Sequence, residues 1–143
     1  MKKIGEYTTR GSVPDQTTKR ITLFDGRFDT GYRVVSFQVL PFDPADATSD
    51  VIGVLATEEA AATEAWDLSD NRQIAWCGAR GGRSAPEDGL CEIDPDNFII
   101  EDLFFRGTNT TGRATNYLIT MEKYDTTDWM GALTMVRNSA QDV

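Results

Sequence analysis

Glu101 and Asp102 stand side by side inside the apolar run Phe98 to Phe105. On a strand, neighbouring side chains point to opposite faces, so one of the two carboxylates must meet a buried or crowded side. That makes the pair the best candidate for a perturbed carboxylate. A glycosidase would need two such groups facing each other across a cleft. The plainer outcome is a salt bridge to Arg106 or Lys123, on or near the neighbouring strand.

The other chemistry-bearing residues say less. The sequence has no histidine, which removes Ser-His-Asp and Cys-His nucleophile systems and most zinc sites. Asp94, Asp96 and Asn97, and again Asp67, Asp70 and Asn71, bring oxygens together at short spacing. Neither set has the glycine and the distal bidentate acid of an EF-hand loop, and ordinary Asx turns account for both. Gly78-Ala79-Arg80-Gly81-Gly82-Arg83 is glycine-rich, but no Lys-Ser/Thr pair follows, so it does not read as a phosphate cradle. Of the tryptophans, Trp76 and Trp129 fall in periodic segments and read as core, while Trp66 lies in a polar stretch and is the one placed to stack on a sugar. The sequence therefore predicts a protein that is not an enzyme, with no catalytic residue, no cofactor, no metal ligand and no residue assigned to cofactor binding.

Composition narrows the class further. The chain has 143 residues, 40% hydrophobic and 26% charged, which suits one domain with its own core. The net charge of −9 repels phosphate backbones, so nucleic acid is not an expected partner. No apolar run approaches the roughly 20 residues of a membrane-spanning helix, and Met1-Lys2-Lys3-Ile4-Gly5-Glu6 lacks the apolar stretch of a secretion signal. Cys77 and Cys91 are close enough to face each other across a hairpin, where a bridge would close a loop of roughly 15 residues. Without a secretion signal, two semi-buried free thiols are the expected state.

The elements that must hold these residues are mostly strands. Residues 1–18, with Gly5, Gly11 and Pro14, read as an extended N-terminal arm or irregular lead-in, and residues 19–143 as a single β domain. Lys19 to Phe24 is a strand closed by the turn signal Asp25-Gly26. Residues 32–40 alternate, with Val35, Phe37 and Val39 on one face and Val34, Ser36 and Gln38 on the other. Val51 to Thr57 is a short β-branched strand whose Gly53 suggests a bulge or an edge. Glu58 to Ala65 is a surface excursion with a turn or two of helix, and Arg72 to Cys77 another strand. Gly78 to Gly89 is a long irregular loop. Phe98 to Phe105 is a strand covered on both faces, Gly107 to Gly112 a hairpin loop, and Asn116 to Tyr124 the returning strand. Trp129, Leu133 and Val136 recur at helical spacing behind Asp125-Thr126-Thr127-Asp128. The fold expected is mainly β: an antiparallel β-sandwich or small barrel with one short C-terminal helix.

Several phrases carry a resemblance when taken together: Leu23 to Arg33 (LFDGRFDTGYR), Gly53 to Glu58 (GVLATE), Asp94 to Leu103 (DPDNFIIEDL), Asn116 to Asp125 (NYLITMEKYD) and Gly131 to Asn138 (GALTMVRN). They resemble small virion structural proteins of tailed phages that infect marine bacteria. The resemblance spans most of the chain and carries over no functional residue. It implies a particle component located in the virion and made in the host cytoplasm. The physical reading compatible with it is a capsid decoration or stabilising protein outside the shell. Its partners would be the major capsid protein or other virion proteins, and it would form a homo-oligomer. The alternative is a host-surface or glycan-binding module carried at the tail or a vertex.

Overall fold

The computed structural model describes residues 2–82 and 90–127. Among these residues, eight strands form two antiparallel sheets. They are β1 (Lys2–Val13), β2 (Thr17–Ile21), β3 (Thr30–Pro41), β4 (Asp50–Ala56), β5 (Gln73–Arg80), β6 (Cys91–Ile93), β7 (Leu103–Asn109) and β8 (Thr115–Asp125). One sheet has the order β1-β8-β3 and the other β2-β7-β4-β5-β6. The chain changes sheet between β1 and β2, between β2 and β3, between β3 and β4 and between β7 and β8, which gives a sandwich. The expected C-terminal helix at Trp129, Leu133 and Val136 falls outside the described residues.

The two inner faces meet through large side chains at alternate positions. Phe37 of β3 and Phe105 of β7 pack edge to face with centroids 5.9 Å apart, and Phe105 also lies 4.8 Å from Tyr117 of β8. Leu55, Leu103, Ile119 and Met121 complete the buried centre. Burying each such side chain contributes about 1.5–3 kcal/mol.

Three differences from the sequence reading have identifiable causes. In β3 the ladder to β8 shifts between Val34 and Ser36, so Val35 is the bulged residue. It points out, while Val34, Phe37 and Val39 are buried. A bulge reverses the phase of alternation, which a strict period of two does not capture. In β4, Gly53 marks neither an edge nor a bulge, because the strand lies between β5 and β7. A Cβ at Gly53 would stand 2.6 Å from Val39 Cγ1 and 2.8 Å from Phe105 Cε1, so glycine allows the sheets to close. The run Phe98 to Phe105 is only partly strand: Ile99 makes a single bridge to Tyr32, and β7 starts at Leu103 and continues through Gly107, where a loop was expected.

The N-terminal stretch also differs from an irregular lead-in. Lys2–Val13 is extended, but it is paired with β8 along its length, with a register shift between Lys3 and Gly5. Strand β2 begins at Thr17, so the expected boundary between residues 18 and 19 falls inside it.

Candidate docking surface

The acidic pair does not form a cleft. Glu101 is exposed. Asp102 is ion-paired with Arg20 of β2, whose Nε donates to Asp102 Oδ2 at 2.6 Å. The expected cations are engaged elsewhere: Arg106 with Glu64 at 3.2 Å and Lys123 with Asp25 at 3.1 Å. β2 lies beside the start of β7, opposite Ile21↔Leu103, and so supplies the arginine. Pairing to a strand remote in sequence is what the sequence could not give.

The two oxygen clusters are turns. The Asn97 amide is buried and bonds the backbone of β3, accepting from Val34 N–H at 2.8 Å and donating to Val34 O at 3.1 Å. Asp94 accepts from the Asp96 N–H. Asp67 accepts from Ser69, and Asp70 holds the Arg72 guanidinium and N–H. Trp66 is 39% exposed, and its ring edge rests 3.5 Å from where a Gly78 side chain would begin. Trp76 is half-buried, with Nε1 donating to Gln73 Oε1 at 2.8 Å. Cys77 and Cys91 are not free thiols. They face each other in the β5–β6 register and form a disulfide, with Cα atoms 4.1 Å apart. The redox compartment governs where such bonds persist; the register decides whether the two sulfurs meet.

The most constructed feature of the exterior is the loop between β2 and β3, which the sequence marked only as a strand end and a turn. Leu23 is buried and anchors it. Gly26 adopts φ +87°, a left-handed conformation that favours glycine, and the chain bends there. The Asp25 carboxylate then accepts from Arg27 N–H at 3.0 Å, Thr30 Oγ1 at 3.0 Å and Lys123 Nζ at 3.1 Å. The Arg27 guanidinium donates twice to Asp29, at 2.8 and 2.7 Å. Lys123 beside Asp25, helped by the donors from Arg27 and Thr30, holds its carboxyl below the usual aspartate range. Arg27 does the same for Asp29, and Asp25 raises Lys123.

These polar ties fix two phenylalanines in the open. Phe24 and Phe28 pack with centroids 5.0 Å apart, and Phe28 remains 60% exposed. The aromatic surface continues beneath Lys123, whose ammonium lies 5.5 Å from the Tyr32 ring centroid. Tyr32 in turn packs against the exposed Tyr7 of β1 at 6.2 Å. Exposed single apolar residues are ordinary, but a packed, tilted pair on a loop stapled by charge-assisted bonds is a preorganised contact. A signal existed in Phe24-Asp25-Gly26-Arg27-Phe28-Asp29: two phenylalanines flank a glycine turn, and the arginine lies between two acids.

Among the described residues, no group of three or more His, Cys, Asp or Glu side chains is placed to hold a metal ion, and no helix is long and apolar enough to cross a membrane. Comparisons with protein-family models, with curated proteins and with solved structures return no match to this chain.

Proposed function

We propose that this chain is a non-enzymatic structural protein of a tailed-phage particle. It decorates the outside of the shell and seats there against the major capsid protein or another virion protein. The observation that carries this reading is the stapled aromatic loop, with Phe24 and Phe28 displayed on a β-sandwich and held by the Asp25 turn and the Arg27–Asp29 ion pair. Rigid exposed aromatics supply contact area at little ordering cost, and contacts repeated over many identical shell sites add up even when each is weak. The resemblance of the sequence to virion proteins of marine phages points the same way. The net charge of −9 favours the outer surface over one facing the genome, because acidic protein and phosphate repel.

The test is add-back of purified protein to particles that lack it. Wild type should co-sediment with the particles. A Phe24→Ala/Phe28→Ala variant that retains the wild-type unfolding temperature should bind at least about tenfold more weakly. Equal binding of variant and wild type would remove the loop from the account. Binding to host cells or their surface glycans, with none to particles, would replace the shell reading with the host-recognition one.

A further inference from the structure

The two sheets have four edges; two of them are short and a third is capped over part of its length. β6 is Cys91–Ile93 only and is clipped to β5 by the disulfide. β2 is limited to Thr17–Ile21. The edge of β3 (Thr30–Pro41) is capped over residues 32–34 by residues 95–99: Tyr32 and Ile99 exchange two backbone bonds, of 2.7 and 2.8 Å. Beside them the Asn97 amide takes both backbone groups of Val34, and Arg33 donates to Pro95 O at 2.8 Å. β1 has no such cap among the described residues. It is paired with β8 alone, and no group among the described residues bonds the outward-facing backbone of Gly5 to Gly11. Long open edges are sites of strand addition, and proteins blunt them unless they are used.

We infer that β1 is a dimerisation strand, and that its occupant is β1 of a second copy, antiparallel about a two-fold axis at Thr8. The choice of partner and register comes from charge. In an antiparallel ladder, facing residues turn their N–H and C=O groups both toward the partner or both away. The two-fold axis must therefore pass through a residue of β1. Between Gly5 and Val13 the charged residues are Glu6 and Arg10. An axis at Glu6 or at Arg10 opposes that charge to its own copy. An axis at Tyr7 or Thr9 opposes both to uncharged residues. An axis at Thr8 sets Glu6 opposite Arg10 of the second copy, twice, with Tyr7 opposite Thr9 and Gly5 opposite Gly11.

The side chains are ready for that register. Glu6 and Arg10 are both exposed. Glu6 is held at its own strand by Lys3, which also bridges to Glu122, at 2.8 and 2.7 Å. Arg10 has no acidic partner among the described residues. The shift at Ile4 ends the regular stretch and limits the ladder to Gly5 through Gly11. The result is one continuous six-strand sheet across the dimer, built from two copies of the three-stranded sheet.

The dimer goes beyond the particle reading and does not rest on it, and the experiment uses isolated full-length protein so that either can fail alone. Sedimentation equilibrium is run from about 1 to 100 µM, a range that brackets micromolar association. The wild type should dimerise. Arg10→Glu, which opposes two carboxylates at both ends of the ladder, should raise the dissociation constant at least about tenfold. The swap Glu6→Arg/Arg10→Glu restores opposite charges and should return the constant to within about threefold of wild type. A monomeric wild type, a dimer indifferent to Arg10→Glu, or a swap that fails to restore association would each overturn the proposal.

Discussion

At the scale of single residues, three positions make the account testable. Gly53 lets the sheets approach, and Gly53→Ala forces Val39 and Phe105 to move. The cost expected is about 1–3 kcal/mol, read from denaturant unfolding. Asn97 ties residues 95–99 to Val34. Asn97→Ala leaves a buried N–H and C=O without partners and should cost about 1–3 kcal/mol for each group that water fails to reach. Asp25 gives a pH signature. Its folded pKa is lowered by Lys123, so its contribution is present above the ordinary aspartate value of about 3.9 and is lost as pH falls through the lower folded value. Lys123 is raised; its contribution is present below its ordinary value and is lost as pH rises through the folded one. The difference in unfolding temperature between wild type and Asp25→Asn should be level from about pH 5 to 9 and shrink below about pH 4. A difference independent of pH down to about pH 2 would mean that the carboxylate's charge does not hold the loop. Asp25 and Asn97 were visible in the sequence only as turn formers, because Lys123 and Val34, which they bond, lie far along the chain.

At the scale of elements, the strands were more legible than their edges and phases. β3, β4, β5 and β8 were each expected close to where they lie, since β-branched and aromatic residues at a period of two mark half-buried strands. What escaped was set by neighbours. Val35 is turned out by a bulge, and the apolar segment before β7 serves as the cap of β3 rather than as a strand. The lead-in with Gly5 and Gly11 became β1 because β8 offers it an edge; Gly11 lies under the Tyr117 ring, whose hydroxyl would be 2.9 Å from an added Cβ. Deleting residues 1–13 therefore exposes β8 and uncovers Tyr117. The truncated chain should unfold at a lower temperature, by several degrees for each kcal/mol lost; an unchanged unfolding temperature would show that β1 is an appendage. The β5–β6 hairpin makes a separate prediction. Its disulfide spans 14 residues, and Cys77→Ala/Cys91→Ala should cost about 2–4 kcal/mol by freeing that loop in the unfolded chain.

At the scale of the molecule, the architecture and the charge support one account. A sandwich with the uncapped edge strand β1, a stapled aromatic loop and an acidic net charge suits a protein that assembles. The sequence made the β class legible through composition and periodicity, but the loop and the open edge depend on which strand sits where. Shell surfaces ask for repetition, and a repeated weak contact becomes strong only when the copies are numerous. The most direct measurement is therefore the number and position of copies in purified particles, by quantitative protein gel and particle imaging. The account predicts many copies spread over the outer shell. Complete absence of the protein from the particles would contradict it.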